Sequence, residues 1–371
     1  VLVALLATAS ALVPFGAANA AYRFSDFQGK PPVHVYRSAE KAPSGVTPAE
    51  IKKIYNLPAT GGKGTIALID AYDDVNMESD LAAFDKQFNL PACTMANGCF
   101  EKHKMATSTA SNSGWAMETS LDVEWAHAIA PNAKILLVEA KTPSGANLMS
   151  AVDYAAARKD VVAVSMSWGG AEFSDELAED SHFVGKASSS VAFFASSGDD
   201  GAGASWPASS PNVIGVGGTS LELASSGTLI AESAWSGSGG GVSAYEKEPA
   251  WQTAYKISKA NGMRAIPDVS YDADPASGYP VYLTTGTGSK AKGSWNTVGG
   301  TSAGSPQWAA IQALGGTAAL DKFYTDKAST STLKFFRDIT SGSNGTCKYY
   351  CDARKRYDYV TGLGSPQTTR F

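Results

Sequence analysis

Charge is thin in this chain of 371 residues. Charged residues make up 18%, the net charge is -5 and no dense Lys/Arg run occurs. There is therefore no electrostatic footprint for a phosphate backbone, and nucleic acid is excluded as a partner. No repeat of fixed period is present, which excludes a solenoid. Histidine is limited to His34, His103, His127 and His182, and there are four cysteines. Neither cysteine pair is C-x-x-C and no histidine lies beside Cys347 or Cys351, which argues against zinc. Hydrophobic residues at 44% give an ordinary globular composition, with chain enough for a large core. One large folded unit, acting as a monomer, is expected.

The cysteines fall into two local pairs, Cys93 with Cys99 and Cys347 with Cys351. Short disulfide loops of this kind suit an oxidising compartment. Residues 1–20 form an apolar run that ends in Ala18-Asn19-Ala20, the small-x-small pattern that signal peptidase cuts, with no charge before Arg23. Pro14 interrupts the run, which is too short for a good spanning helix. Export to the extracellular space or periplasm is expected, with no membrane association once the signal is removed. Residues 21–48 are rich in polar residues and proline and lack a sustained period. They read as an extended arm leading into a folded domain over 49–371.

From Gly64 onward, β-branched runs at 65–69, 134–138, 161–166 and 191–195 alternate with helical patterns at 78–88, 115–129, 147–158 and 174–184. Such alternation predicts an α/β fold with a mostly parallel central sheet and helices on both faces. Functional groups are then expected at the carboxyl ends of the strands.

On the helix predicted over 115–129, a step of about 100° per residue puts Trp115, Glu118, Asp122, Trp125 and Ile129 on one stripe. Ser120, Glu124 and His127 fall opposite, where Glu124 reads as solvated and His127 as a surface residue. Two carboxylates beside tryptophans are expected to be buried, so that one pKa must rise and the pair can share a proton. A buried structural pair is the competing reading. A second feature is the string Gly299-Gly300-Thr301-Ser302-Ala303-Gly304-Ser305-Pro306, which runs into a helical stretch at 307–314. A hydroxyl at a helix N-terminus meets free N–H groups that can stabilise an oxyanion, although a plain N-cap accounts for the serine equally. Third, Asp199 follows a strand in Ser196-Ser197-Gly198-Asp199-Asp200-Gly201, where Asp200 reads as an ordinary turn residue.

These strings resemble the sedolisin, or serine-carboxyl peptidase, family of the subtilisin-like fold, over roughly residues 55–366. Glu118-Thr119-Ser120-Leu121-Asp122 is similar to its E-x-x-x-D element, 196–201 to its S-x-G-D-x-G turn and 300–306 to its nucleophile loop. The resemblance implies Ser302 as nucleophile, Glu118 as general base, Asp122 as partner in its proton and Asp199 as a protonated oxyanion donor. It implies acid action on protein or peptide substrates. None of the four histidines sits in the H-G-T-H-V context that ordinary subtilisins use. Asp70, at the end of a predicted strand, resembles the subtilisin aspartate in position but reads as a structural turn. Ser167, Trp168 and Gly169 resemble the segment along which peptidases of this fold lay out substrate by backbone pairing; a core tryptophan is the plain alternative for Trp168.

Near the C-terminus, 338–342 and 357–366 resemble the family's calcium site, implying Asp338, Ile339 and Asp358 as oxygen ligands for one Ca²⁺. Arg354 and Arg356 stand where the family has glycines, and the alternative is that the two aspartates pair with these arginines. The expected function is thus a secreted, acid-acting serine endopeptidase. A catalytically inactive, exported peptide-binding protein on the same fold is the rival.

Overall fold

The computed structural model describes residues 22–107, 110–188, 190–316, 319–324 and 335–368. The expected signal run and its Ala18-Asn19-Ala20 site lie outside the described residues. No described helix is long and apolar enough to cross a membrane.

The frame is an eight-stranded sheet. Its centre is β2 (Thr65–Ala71), with β4 (Lys134–Ala140) and then β3 (Phe100–Lys104) to one side. To the other side lie β5 (Val161–Met166), Ala192–Ser196 and Ile214–Leu223. Every pairing in this sheet is parallel except that of Leu229–Ala234 with Ile214–Leu223. A parallel sheet needs both faces covered, and the strand sequences supply apolar residues for both. In β2, Ile66 and Leu68 join the cluster that includes α1 (Pro48–Ile54), α2 (Met77–Phe88) and α3 (Ser113–Ile129). Ala67, Ile69 and Ala71 join the opposite cluster, together with α4 (Gly145–Ala156). The expected fold class is therefore what the chain adopts, and both cysteine pairs form disulfides, Cys93–Cys99 and Cys347–Cys351.

The helix pattern at 174–184 does not become an α-helix; two 3-10 turns, Glu176–Ala178 and Asp180–His182, take its place. The largest departure concerns α3. The sequence gives it a polar side, yet Ser120, Glu124 and His127 are as fully buried as Glu118 and Asp122. A helical wheel assumes water on one side, whereas this helix is roofed by strand Tyr279–Thr285 and flanked by α2. Glu124 and His127 each find a partner there, whereas the Ser120 hydroxyl has none among the described residues. Tyr282 N donates to Glu124 Oε2 at 3.0 Å, and His127 Nε2 lies 2.9 Å from Pro91 O. Burial lowers the His127 pKa to about 4, so the imidazole stays neutral.

The arm is also more ordered than its composition suggests. Strand β1 (His34–Glu40) pairs antiparallel with Lys292–Gly299, which in turn pairs with Tyr279–Thr285. Upstream of it, Phe27 is fully buried.

Candidate active site

Helix α3 starts where Asn112 accepts hydrogen bonds from the N–H groups of Gly114 and Trp115, at 3.0 and 3.1 Å. Glu118 and Asp122 follow one turn apart, both without solvent exposure. Ser167, just past the end of β5, donates to Asp122 Oδ1 at 2.7 Å and also lies 3.2 Å from the Ser302 carbonyl oxygen. Both oxygens of Glu118 and Asp122 Oδ2 have no hydrogen-bond partner among the described residues. Burial pushes Glu118 well above the carboxylate range, helped by Asp122, Asp70 and Asp199 and opposed by the nearby Ser302 hydroxyl. Asp122 is raised by burial and then by Asp70, with the Ser167 hydroxyl opposing. Carboxyls this close and this dry hold fewer charges than there are groups.

Asp70 is no surface turn. It stands in register with Glu139 of β4, and the two-residue period of a strand puts both on the α3 side of the sheet. Neither Asp70 oxygen has a partner among the described residues, and burial, Glu139 and Asp74 all raise its pKa. The outward end of this acid cluster is Lys102, whose Nζ lies 3.1 Å from Glu139 Oε1.

Ser302 sits in the 3-10 turn Thr301–Ala303, which leads directly into the helix Gly304–Ala313. It caps nothing: that helix has no side-chain cap, and the Ser302 hydroxyl donates to Pro32 O at 3.0 Å. Gly300 is required here. Its φ is +128°, and a Cβ on it would lie 1.9 Å from Pro32 O and 2.5 Å from Asp199 Oδ2. Asp199, at the carboxyl end of Ala192–Ser196, accepts from Thr301 N at 2.8 Å and from Thr301 Oγ1 at 2.7 Å, both on Oδ1. Its Oδ2 lies 3.1 Å from His34 Nε2. Burial raises the Asp199 pKa, with His34 and Thr301 opposing, while the contact with Asp199 raises His34.

The arm fills the trough between these groups. Lys30 and Gly169 exchange both backbone hydrogen bonds, at 3.0 and 3.1 Å, and Gly29 N donates to Pro143 O at 2.8 Å. Residues 29–32 are thereby held between two edges, with the Pro32 carbonyl presented to Ser302. Of the expected binding residues, only Gly169 pairs with an extended chain. Ser167 tethers Asp122 instead, and Trp168 is core, its indole N–H donating to Ile69 O at 2.8 Å. Sequence reasoning missed His34, Pro32 and the Thr301 hydroxyl. Only Thr301 carried a signal, as the neighbour of Ser302.

At the C-terminal loops, the guanidinium groups turn away from the two aspartates. Arg354 reaches Asp352 and lies over the Tyr349 ring, and Arg356 lies over Tyr255. Backbone amides face the carboxylates: Arg354 N donates to Asp358 at 2.9 Å and Arg356 N to both oxygens of Asp338 at 3.0 Å. Arg356 takes a φ of +69° where glycine would be at ease. One tripeptide thus gathers Asp338 and Asp358. The carbonyl of buried Ile339 accepts no hydrogen bond from a described residue. Two carboxylates and a carbonyl are the oxygen donors that a hard cation such as Ca²⁺ takes, and in this structure all four carboxylate oxygens accept hydrogen bonds from Arg354, Arg356, Val360 and Thr361 instead.

A family model described as the subtilase family matches residues 104–333. Sedolisin of Pseudomonas sp. (strain 101) is 30% identical over 372 aligned positions, covering 86% of this chain and 60% of that protein. Kumamolisin of Bacillus sp. (strain MN-32) is 30% identical over 369, covering 89% and 63%. The chain thus spans somewhat under two thirds of the length of these curated relatives. Among solved structures, Pseudomonas sedolisin, described as a serine-carboxyl proteinase in complex with two molecules of pseudo-iodotyrostatin, superposes with a TM-score of 0.72 at 28% identity. That match covers 89% of this chain and 96% of the other. Sphericase, at 20% identity and a TM-score of 0.55 over 89% of this chain and 99% of its own, is a likeness of fold alone.

Proposed function

The chain belongs to the subtilase family, and because it is similar to sedolisin and kumamolisin over most of its length we propose that it is an acid-acting serine endopeptidase. Its reaction is hydrolysis of protein or peptide substrates through an acyl-enzyme on Ser302. One observation carries the reading: an extended peptide, the arm, is paired to Gly169 with its Pro32 carbonyl oxygen 3.0 Å from the Ser302 hydroxyl. Glu118, buried on α3 beside Asp122, is close enough to the Ser302 hydroxyl for its proton affinity to respond to it, and Asp199 is bonded to the neighbouring Thr301.

In this mechanism Ser302 Oγ attacks the carbonyl carbon of the substrate and its proton passes to Glu118. Asp122, held by Ser167, shares that proton and keeps the pair from gathering two negative charges. The carbonyl oxygen becomes an oxyanion. Asp199 already accepts on Oδ1, so Oδ2 is the atom that carries its proton towards the oxyanion, in the place where His34 now lies. Glu118 then protonates the leaving amine, and water resolves the acyl-enzyme by the same steps in reverse. Asp70 touches no reacting atom; it keeps the α3 pair protonated by adding a further carboxyl beside it.

Acid action follows from the proton count. Asp199 must hold a proton while the Glu118–Asp122 pair holds only one, which leaves a window closed on both sides. Hydrolysis of casein or a quenched peptide, followed from roughly pH 3 to pH 8, is expected to peak well below neutrality. A maximum at neutral pH would count against the proposal. The two disulfides support secretion. The same reading assigns 49–371 to the peptidase and 21–48 to the arm.

One calcium ion at Asp338, Ile339 and Asp358 is part of the proposal. Bound there, it ties the loop after residue 337 to the turn at 358 and takes no part in the chemistry. With ion at about a hundred times its dissociation constant, stabilisation is about 2.7 kcal/mol, roughly 5 °C in Tm. Thermal unfolding in EDTA against excess Ca²⁺ reads this shift, and equal midpoints would remove the ion from the account.

A further inference from the structure

Phe27 lies five residues before Pro32, and its ring is closed in completely. The ring meets Trp206 edge to face at 4.7 Å and 81°, Trp168 at 6.4 Å and 61°, and Phe173 at 5.7 Å. The floor is Gly170, where a Cβ would sit 2.8 Å from the Phe27 ring. All four wall residues belong to segments outside the arm. Two of them flank Gly169, the residue that pairs with Lys30, and the short strands Gly170–Ala171 and Ser205–Trp206 pair to bring Trp206 across. The walls are fixed as well as apolar: Trp168 is anchored by its bond to Ile69 O, and both tryptophans are without solvent exposure.

The backbone route to this box is the one that leads to Ser302. Phe27 O accepts from Gly145 N at 3.1 Å, Gly29 N donates to Pro143 O, Lys30 pairs with Gly169, and Pro32 O meets the nucleophile. Any peptide bound along the same edges, with its scissile carbonyl at Ser302, brings the residue five positions upstream to the same box. From this we infer that the aromatic box is a distal specificity subsite, selecting substrates with a phenylalanine-like side chain at the sixth position on the amino side of the cleaved bond. An aromatic ring suits it because two of the ring walls, Trp206 and Trp168, meet it edge to face, contacts that an aliphatic side chain cannot make. The inference rests on the peptidase reading and names the kind of substrate which that site prefers.

The test uses the full chain carrying Ser302→Ala, which binds without turnover, and two peptides of otherwise identical sequence with Phe or Ala at the sixth position. Affinity is followed by calorimetry. The Phe peptide is expected to bind about ten-fold more tightly, the scale for burying one such ring. Adding Gly170→Val, whose side chain occupies the box, is expected to abolish the ten-fold preference for the Phe peptide over the Ala peptide. Equal affinities for the two peptides in the Ser302→Ala chain overturn the subsite. Hydrolysis of the same pair by the unaltered chain is a separate reading: if neither peptide is cut, the peptidase assignment fails, while the affinity ratio still decides the box.

Discussion

Ser302→Ala is expected to lower kcat/KM for peptide hydrolysis by about 10⁴-fold or more, the scale of losing the nucleophile from a serine peptidase. Among the described residues, the neighbouring hydroxyls are already engaged. Ser167 is spent on Asp122 and the Ser302 carbonyl, Ser305 is paired with Ser165 at 2.8 Å, and the Thr301 hydroxyl is held by Asp199. The change deletes one oxygen and leaves a small side chain in a buried turn, so the fold is expected to survive with its melting temperature little altered. Single-turnover assays on a fluorogenic peptide, with thermal unfolding alongside, measure both quantities. Activity within ten-fold of the parent would mean that the arm points at the wrong residue and that catalysis lies elsewhere.

Asp199→Ala is expected to lower kcat by about 10² to 10³-fold with little change in KM, the cost of removing one oxyanion donor. Asp199→Asn is the more informative exchange. Burial raises the aspartic acid's pKa above its ordinary value, and donation requires the proton. Its contribution is therefore present below that raised pKa and lost as pH climbs through it. An asparagine amide donates at any pH. The Asn variant is expected to recover part of the alanine loss and to extend the alkaline limb of kcat towards neutrality. If the Asn and parent profiles fall together on the alkaline side, that limb belongs to Glu118 and Asp122 and not to Asp199.

The sheet was legible because each of its central strands is a short run of β-branched and apolar residues, buried on both faces, between turn-forming residues. The candidates Glu118, Asp122, Asp199 and Ser302 could be picked out because each sits in a short local string. What stayed hidden depends on distant chain. Glu124 and His127 looked solvated on a helical wheel because nothing in 113–129 announces that strand Tyr279–Thr285 will close over them; Tyr282 and Glu124 are 158 residues apart. Pro32 and His34 lie in a stretch without periodicity, and Pro32 reaches Ser302 across 270 residues. Trp168 was read towards a ligand because the segment resembles a binding edge. In that edge the peptide backbone does the pairing, and the indole is committed to Ile69 beneath it. Asp70 was read as a turn because aspartate after a strand usually is one, while β2 runs on to Ala71 and keeps it inside.

The arm's seat in the trough has a kinetic consequence. A ligand covalently joined to its receptor does not dilute away; a short connection holds it at an effective concentration on the order of millimolar. On the peptidase reading, every incoming polypeptide therefore competes with this occupant for as long as the Pro32–Val33 bond is whole, which inflates the half-saturating concentration but leaves turnover at saturation untouched. Two copies of this catalyst, one with the segment Phe27 to Pro32 in place and one without it, would run at the same ceiling and reach it at very different loads.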